Sequence, residues 1–146
     1  MKARIGKTID ELVIGEESHF AKTMTETDMM LFAGITGDLN QLPTNEEFAK
    51  KTRFGKRVAH GMLTASFIAN LIGMKLPGFG SMLRSVKFRF TAPVFLSDTV
   101  EIGVRVVSLD KEKNQANFDC WGTNQRGESV LVGSCVVTPP VQLDKD

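Results

Sequence analysis

One stretch of the chain gathers the groups that could do chemistry: TGDLNQLPTNEEFAKKTRFGKRVAHGM, residues 36–62. From spacing alone, Asp38 reads as a loop acid capping backbone amides; with the residues around it, it reads as a general base. Asn40 and Gln41 beside it can hold a water, because amides both donate and accept, but neither moves a proton at neutral pH. Gly61 opens an apolar run that reads as a helix, and N–H groups at a helix N-terminus point at developing negative charge. Read by itself, Gly61 is an ordinary helix start. There is no tyrosine, and the two histidines are His19 and His60. His60 reads as a residue that orders the loop or fills core volume, and His19 as a strand residue near the surface.

Other charged residues fall into two groups. Arg53, Lys56 and Arg57 precede the helix entrance, and Arg84, Lys87 and Arg89 follow it. Each taken singly is a solvated surface charge, yet together they suit a ligand bearing phosphates, and Lys87 with Arg89 alternate on one strand face. Glu46 could replace a missing base, but Asn45, Glu46 and Glu47 are already explained by capping and the helix dipole. Cys120 and Cys135 lie in apolar runs, and a single pair makes neither a disulfide framework nor a four-ligand metal site, so no metal is expected.

The elements that must position these groups follow from the pattern. Thr25 caps a short helix with Glu26 and Asp28 in its first turn, ending at Gly37. Thr44 with Glu47 suggests a capping box for a helix over residues 45–51, and Pro43 makes residues 38–43 irregular. From His60, apolar residues recur at spacings of three and four as far as Pro77-Gly78, predicting a buried central helix. Period-two alternation follows: Val86, Phe88, Phe90; then Val100, Ile102, Val104, Val106; then Ala116, Phe118, Cys120. A last strand, residues 129–138, is apolar on nearly both faces, and residues 17–24 supply another. Short turn-like links favour antiparallel neighbours. The expected class is α+β: an antiparallel sheet curled around one long helix, with its outer face partly covered, as by a second subunit.

With 146 residues, one domain is expected over 1–146, its core about 5–138 and a tail at 139–146. Eighteen basic against seventeen acidic residues give a net charge of +1, with no general field for nucleic acid or a membrane surface. No apolar run suggests a signal peptide or a membrane span, so a cytoplasmic protein is expected. No strand leads into a dinucleotide or phosphate-loop motif.

Phe32-Ala33, Gly37-Asp38, Asn40, Phe48-Ala49, Phe54 and Ala59-His60-Gly61-Met62, followed by LPGFGSMLRSVKFRFTAPVFLSDTVE, resemble the MaoC-like (R)-specific enoyl-CoA hydratases. The resemblance runs from about residue 5 to 138 and implies a hot-dog fold. It implies reversible addition of water to a trans-2-enoyl-CoA, with Asp38 as base and the Gly61 amide polarising the thioester carbonyl. It also implies coenzyme A as part of the substrate, no separate cofactor, and a homodimer or dimer of dimers built by edge-to-edge sheet pairing. The basic residues named above would then meet the coenzyme A phosphates. The family motif is Gly-Asp-x-Asn-Pro-x-His; here Gln41 takes the proline position, Pro43 the catalytic histidine position, and Asn45 a following acidic position. A proline has no titratable group, so the resemblance implies a slowed or rewired hydratase, a non-catalytic acyl-CoA-binding protein, or a related thioesterase or lyase.

Overall fold

The computed structural model describes residues 3–143; residues 144–146 of the expected tail lie outside the described residues. Strand β1 (Glu17–Thr23) leads to helix α1 (Glu26–Thr36), the single turn α2 (Gln41–Thr44), the short α3 (Glu46–Lys50) and the long α4 (Gly61–Met74). Four strands follow: β2 (Met82–Phe90), β3 (Thr99–Asp110), β4 (Gln115–Thr123) and β5 (Ser129–Thr138). They form one sheet in the order β1-β3-β4-β5-β2, and every neighbouring pair is antiparallel.

The three-and-four spacing of α4 buries Leu63, Phe67, Ile68, Leu71 and Ile72. The helix packs across β1, β2 and β3. The sheet meets it with Val100, Ile102, Val104 and Val106 of β3 and Ala116, Phe118 and Cys120 of β4, all buried. This is the expected sheet wrapped around a central helix. Close approach also selects one glycine in the sheet: a Cβ at Gly133 would stand 2.0 Å from the Lys87 carbonyl oxygen. Cys120 and Cys135 sit 3.6 Å apart as free, buried thiols, and their mutual hydrogen bond and burial push the Cys120 thiol upward.

Around α1 the cap is reciprocal. The Asp28 amide donates to the Thr25 hydroxyl at 3.1 Å, and the Thr25 amide donates to the Asp28 carboxylate at 3.0 Å. Two local expectations are corrected. Residues 41–44 are helical rather than irregular, because Pro43 falls in the first turn, where a missing N–H forfeits no intrahelical bond. The Thr44/Glu47 capping box is not made: Asn45 caps α3 by accepting the Phe48 amide at 3.0 Å, while the Thr44 hydroxyl donates back to the Asn40 carbonyl.

Buried Leu131, Cys135 and Val137 of β5 are interspersed with Val132, which stays 39% exposed, and exposed Ser134. Strand β2 is a sheet edge with Met82, Val86 and Phe90 exposed. Among the described residues no helix is long and apolar enough to cross a membrane.

Candidate active site

Gly37 ends α1 with φ at +76°, a left-handed cap that turns the chain and delivers Asp38. From there alternate backbone donors are capped by nearby side chains. The Asp38 amide donates to Thr36 Oγ1 at 3.1 Å, the Asn40 amide to Asp38 Oδ1 at 3.1 Å, and the Leu42 amide to Asn40 Oδ1 at 3.0 Å. The Asp38 side chain remains 54% exposed, with Oδ2 3.8 Å from His60 Nε2. Nε2 also lies 3.0 Å from the Asp38 carbonyl oxygen. A carbonyl only accepts, so Nε2 carries a proton and donates; Nδ1 is buried with no partner among the described residues.

Asp38, Asn40, Pro43, His60 and Gly61 line one pocket of about 260 Å³, closed on one side by Phe32. The Phe32 ring tilts against His60 with centroids 4.9 Å apart. A second, more apolar pocket of about 420 Å³ shares Val58, Ala59 and Gly61 with the first. Its far wall is the segment Phe90–Val94 with Val130. Asp98 holds the end of that segment, accepting the Phe95 amide at 2.9 Å and Gln125 Nε2 at 2.7 Å. Burial pushes the Asp98 carboxyl up, but those two hydrogen bonds and the Arg126 and Lys56 charges outweigh it, so it titrates below the usual carboxylate range.

Gly61 stands where the two pockets meet. Its amide and that of Met62 have no hydrogen-bond partner among the described residues, and His60 offers no side-chain cap. These are the orphan donors of a helix N-terminus, aimed outward along α4. A Cβ at Gly61 would lie 3.2 Å from the Phe90 ring, so glycine keeps this junction open.

The structure therefore brings Asp38, Asn40, Pro43 and Gly61 to one pocket, and leaves the other expected residues apart. Gln41 does not line it; its Oε1 accepts from Asn45 Nδ2 at 3.1 Å. Glu46 lies in the first turn of α3, outside the lining. Arg53 is at the wall of the larger pocket, stacked 4.8 Å from the Phe54 ring centroid, and Lys56 lies over Phe95 at 4.2 Å. Arg57 departs from the expected surface role. It is buried, with Nε donating to the Pro43 carbonyl at 2.7 Å and both terminal nitrogens donating to the Glu26 carboxylate. Arg84 donates to Thr138 Oγ1 at 2.8 Å. Lys87 and Arg89 line a shallow groove with Val132 and Ser134. Phe88 packs toward the core and Phe90 toward Gly61, so alternation turns Lys87 and Arg89 to the opposite face of the sheet. Among the described residues no three His, Cys, Asp or Glu side chains converge on a metal site.

The wall from Phe90 to Val94 and Thr64, which also lines the larger pocket, were not among the expected site residues; the buried Thr64 hydroxyl has no partner among the described residues. Thr64 follows Gly61 by three residues on α4 and so shares its face, whereas the Phe90–Val94 wall meets Gly61 only because the end of β2 packs beside α4.

Residues 11–120 match the model of the MaoC like domain. An (R)-specific enoyl-CoA hydratase of Rhodospirillum rubrum is 38% identical over 133 residues, covering 91% of this chain and 92% of that protein. A 3-hydroxybutyryl-CoA dehydratase of Methylorubrum extorquens is 36% identical over 137 residues, covering 94% and 87%. Among solved structures, the unliganded R-hydratase PhaJ1 of Pseudomonas aeruginosa superposes with a TM-score of 0.88 at 30% identity, over 96% of this chain and 93% of that one. The family model spans most of the chain and the relatives nearly all of it, so this protein belongs to the MaoC-like dehydratase domain family.

Proposed function

We propose that the protein is an enoyl-CoA hydratase, adding water reversibly to a trans-2-enoyl-CoA to give the (R)-3-hydroxyacyl-CoA. One observation carries the reading: the Asp38 carboxylate and the unpartnered Gly61 amide line the same pocket. With the thioester oxygen on the Gly61 N–H, charge that develops there during addition meets a donor already in place. Asp38 takes a proton from a water that Asn40 helps to hold, the hydroxide bonds to C3, and the electron pair moves toward the thioester oxygen. C2 then takes a proton from the Asp38 carboxylic acid, so one water is added and the carboxylate is restored. A single carboxylate serves in both halves because Pro43 supplies no second titrating group. The larger pocket, apolar and continuous with Gly61, suits the acyl group.

In this reading coenzyme A enters as part of the substrate, and Arg53 and Lys56, with Arg84, Lys87 and Arg89, are the cations available to its phosphates. Lys87 and Arg89 face away from the pocket of their own subunit, so they serve a thioester only where a second subunit brings its pocket to that face. The open edge of β2 and the exposed Val132 support a homodimer by edge-to-edge pairing.

Pro43 at the family's histidine position favours a second reading, a thioester-binding protein without turnover. Loss of the enoyl absorbance of crotonyl-CoA separates the two. Steady loss with the native chain, abolished in Asp38→Ala, is the expected result; binding of the ester with no loss in either protein overturns the hydratase reading.

A further inference from the structure

Arg57 is the one member of its basic cluster that turns inward. Arg53 and Lys56 are exposed, whereas Arg57 is buried beside residues far away in sequence. Its Nε donates to the Pro43 carbonyl at 2.7 Å, Nη2 donates to Glu26 Oε1 at 3.0 Å, and Nη1 donates to Glu26 Oε2. One planar guanidinium thus ties the first turn of α1 to the turn α2, and a lysine could not span both. Three residues on, His60 donates to the Asp38 carbonyl. Segment 57–60 is itself fixed, since the Ala59 amide donates to the Val94 carbonyl at 2.8 Å and Val58 bridges to Phe95. The next residue is Gly61.

We infer that Arg57 is a positioning residue for the pocket. It holds the Pro43 end of the 38–43 segment while His60 holds the Asp38 end, so the base and the Gly61 amide keep a fixed separation. Without Arg57 the segment keeps its ties at the Asp38 end, to His60 and to the Thr36 hydroxyl, and the bonds beyond that end run within residues 38–45: Asp38 to Asn40, Asn40 to Leu42, Thr44 to Asn40, and Asn45 to Gln41. Those bonds preserve its shape, and none of them ties the Pro43 end to α1. Displacement of a reacting group by about 1 Å lowers turnover by ~100-fold. The contrary role, contact with a coenzyme A phosphate, requires the guanidinium to reach solvent.

For its kinetic readout the inference rests on the hydratase reading; its exchange readout does not. The experiment compares native protein with Arg57→Met, Arg57→Lys and Glu26→Gln, using crotonyl-CoA and the phosphate-free crotonyl-pantetheine. The expected result for Arg57→Met is a fall in kcat of about 10- to 100-fold, by the same factor with both thioesters. Arg57→Lys falls nearly as far, and Glu26→Gln falls less but in the same pattern. A loss confined to KM, seen with crotonyl-CoA and absent with crotonyl-pantetheine, makes Arg57 a phosphate ligand and overturns the inference. Hydrogen exchange is measured on the same proteins. Faster exchange of the 38–45 amides with β3 and β4 unchanged supports the clamp, and unchanged exchange there overturns it. If the native protein turns over neither thioester, the hydratase reading fails and exchange alone decides. If Arg57→Met does not fold, Glu26→Gln decides by the same readouts.

Discussion

The frame around α4 and the segment carrying Asp38 are built by different means. In the frame, buried apolar side chains of α4, β3 and β4 interlock, and a substitution there leaves a hole in a packed interior. The Asp38 segment is held by side-chain caps on the Asp38, Asn40 and Leu42 amides, on a stretch that remains largely exposed. The difference teaches where this chain tolerates change. The turn around Pro43 is held by the Asn40 and Asn45 caps and by Arg57 on the Pro43 carbonyl, and none of these bonds uses the side chain of residue 43.

The two regions should respond in opposite ways to substitution. Asp38→Asn should lower hydration by about 10²- to 10⁴-fold, the range for losing a general base. Its melting temperature should stay near native, since the side chain is half exposed. Kinetics with parallel thermal melts check both halves. Phe118→Ala, in the frame, should do the reverse: about 3–5 kcal/mol of stability lost in urea unfolding, with the surviving folded fraction still binding ester. Thr25→Ala removes half of the reciprocal cap on α1 and should cost about 1 kcal/mol, read in the same urea titration.

Acid sharpens the contrast most gently. The Asp98 carboxyl titrates below its ordinary value in the folded chain, so its contribution is present above the unfolded value of about 3.9 and is lost as pH falls through the lower folded value. Asp98→Asn should therefore be less stable than native at pH 6, with the gap narrowing steadily below pH ~4. A gap that stays constant down to pH 2 would remove Asp98 as the ionised anchor of the Phe90–Val94 wall.

What the sequence made legible follows the same division. The α1 cap, the period of α4 and the alternation of the strands are local patterns, and the structure shows each of them. The site was partly legible: Asp38, Asn40 and Gly61 lie together as the motif implied, and Pro43 lies with them. Arg57 was not, because its partners Glu26 and Pro43 are 31 and 14 residues away and a buried arginine looks like any other in a basic run. Gln41 beside Asp38 suggested a water ligand, but one helical turn rotates it to Asn45. The wall made by Phe90–Val94 and Val130 exists only once β2 and β5 pair.

In the hydratase reading, the pocket lacks one acid–base group, at residue 43. Replacing Pro43 by histidine (Pro43→His) and measuring kcat for crotonyl-CoA against the native chain in one assay decides this. Residue 43 lines the pocket beside Asp38, so an imidazole there should raise kcat by about 10²-fold or more, with KM little changed. An unchanged or lower kcat in a folded, ester-binding variant would mean that a missing acid–base group at residue 43 does not limit this site.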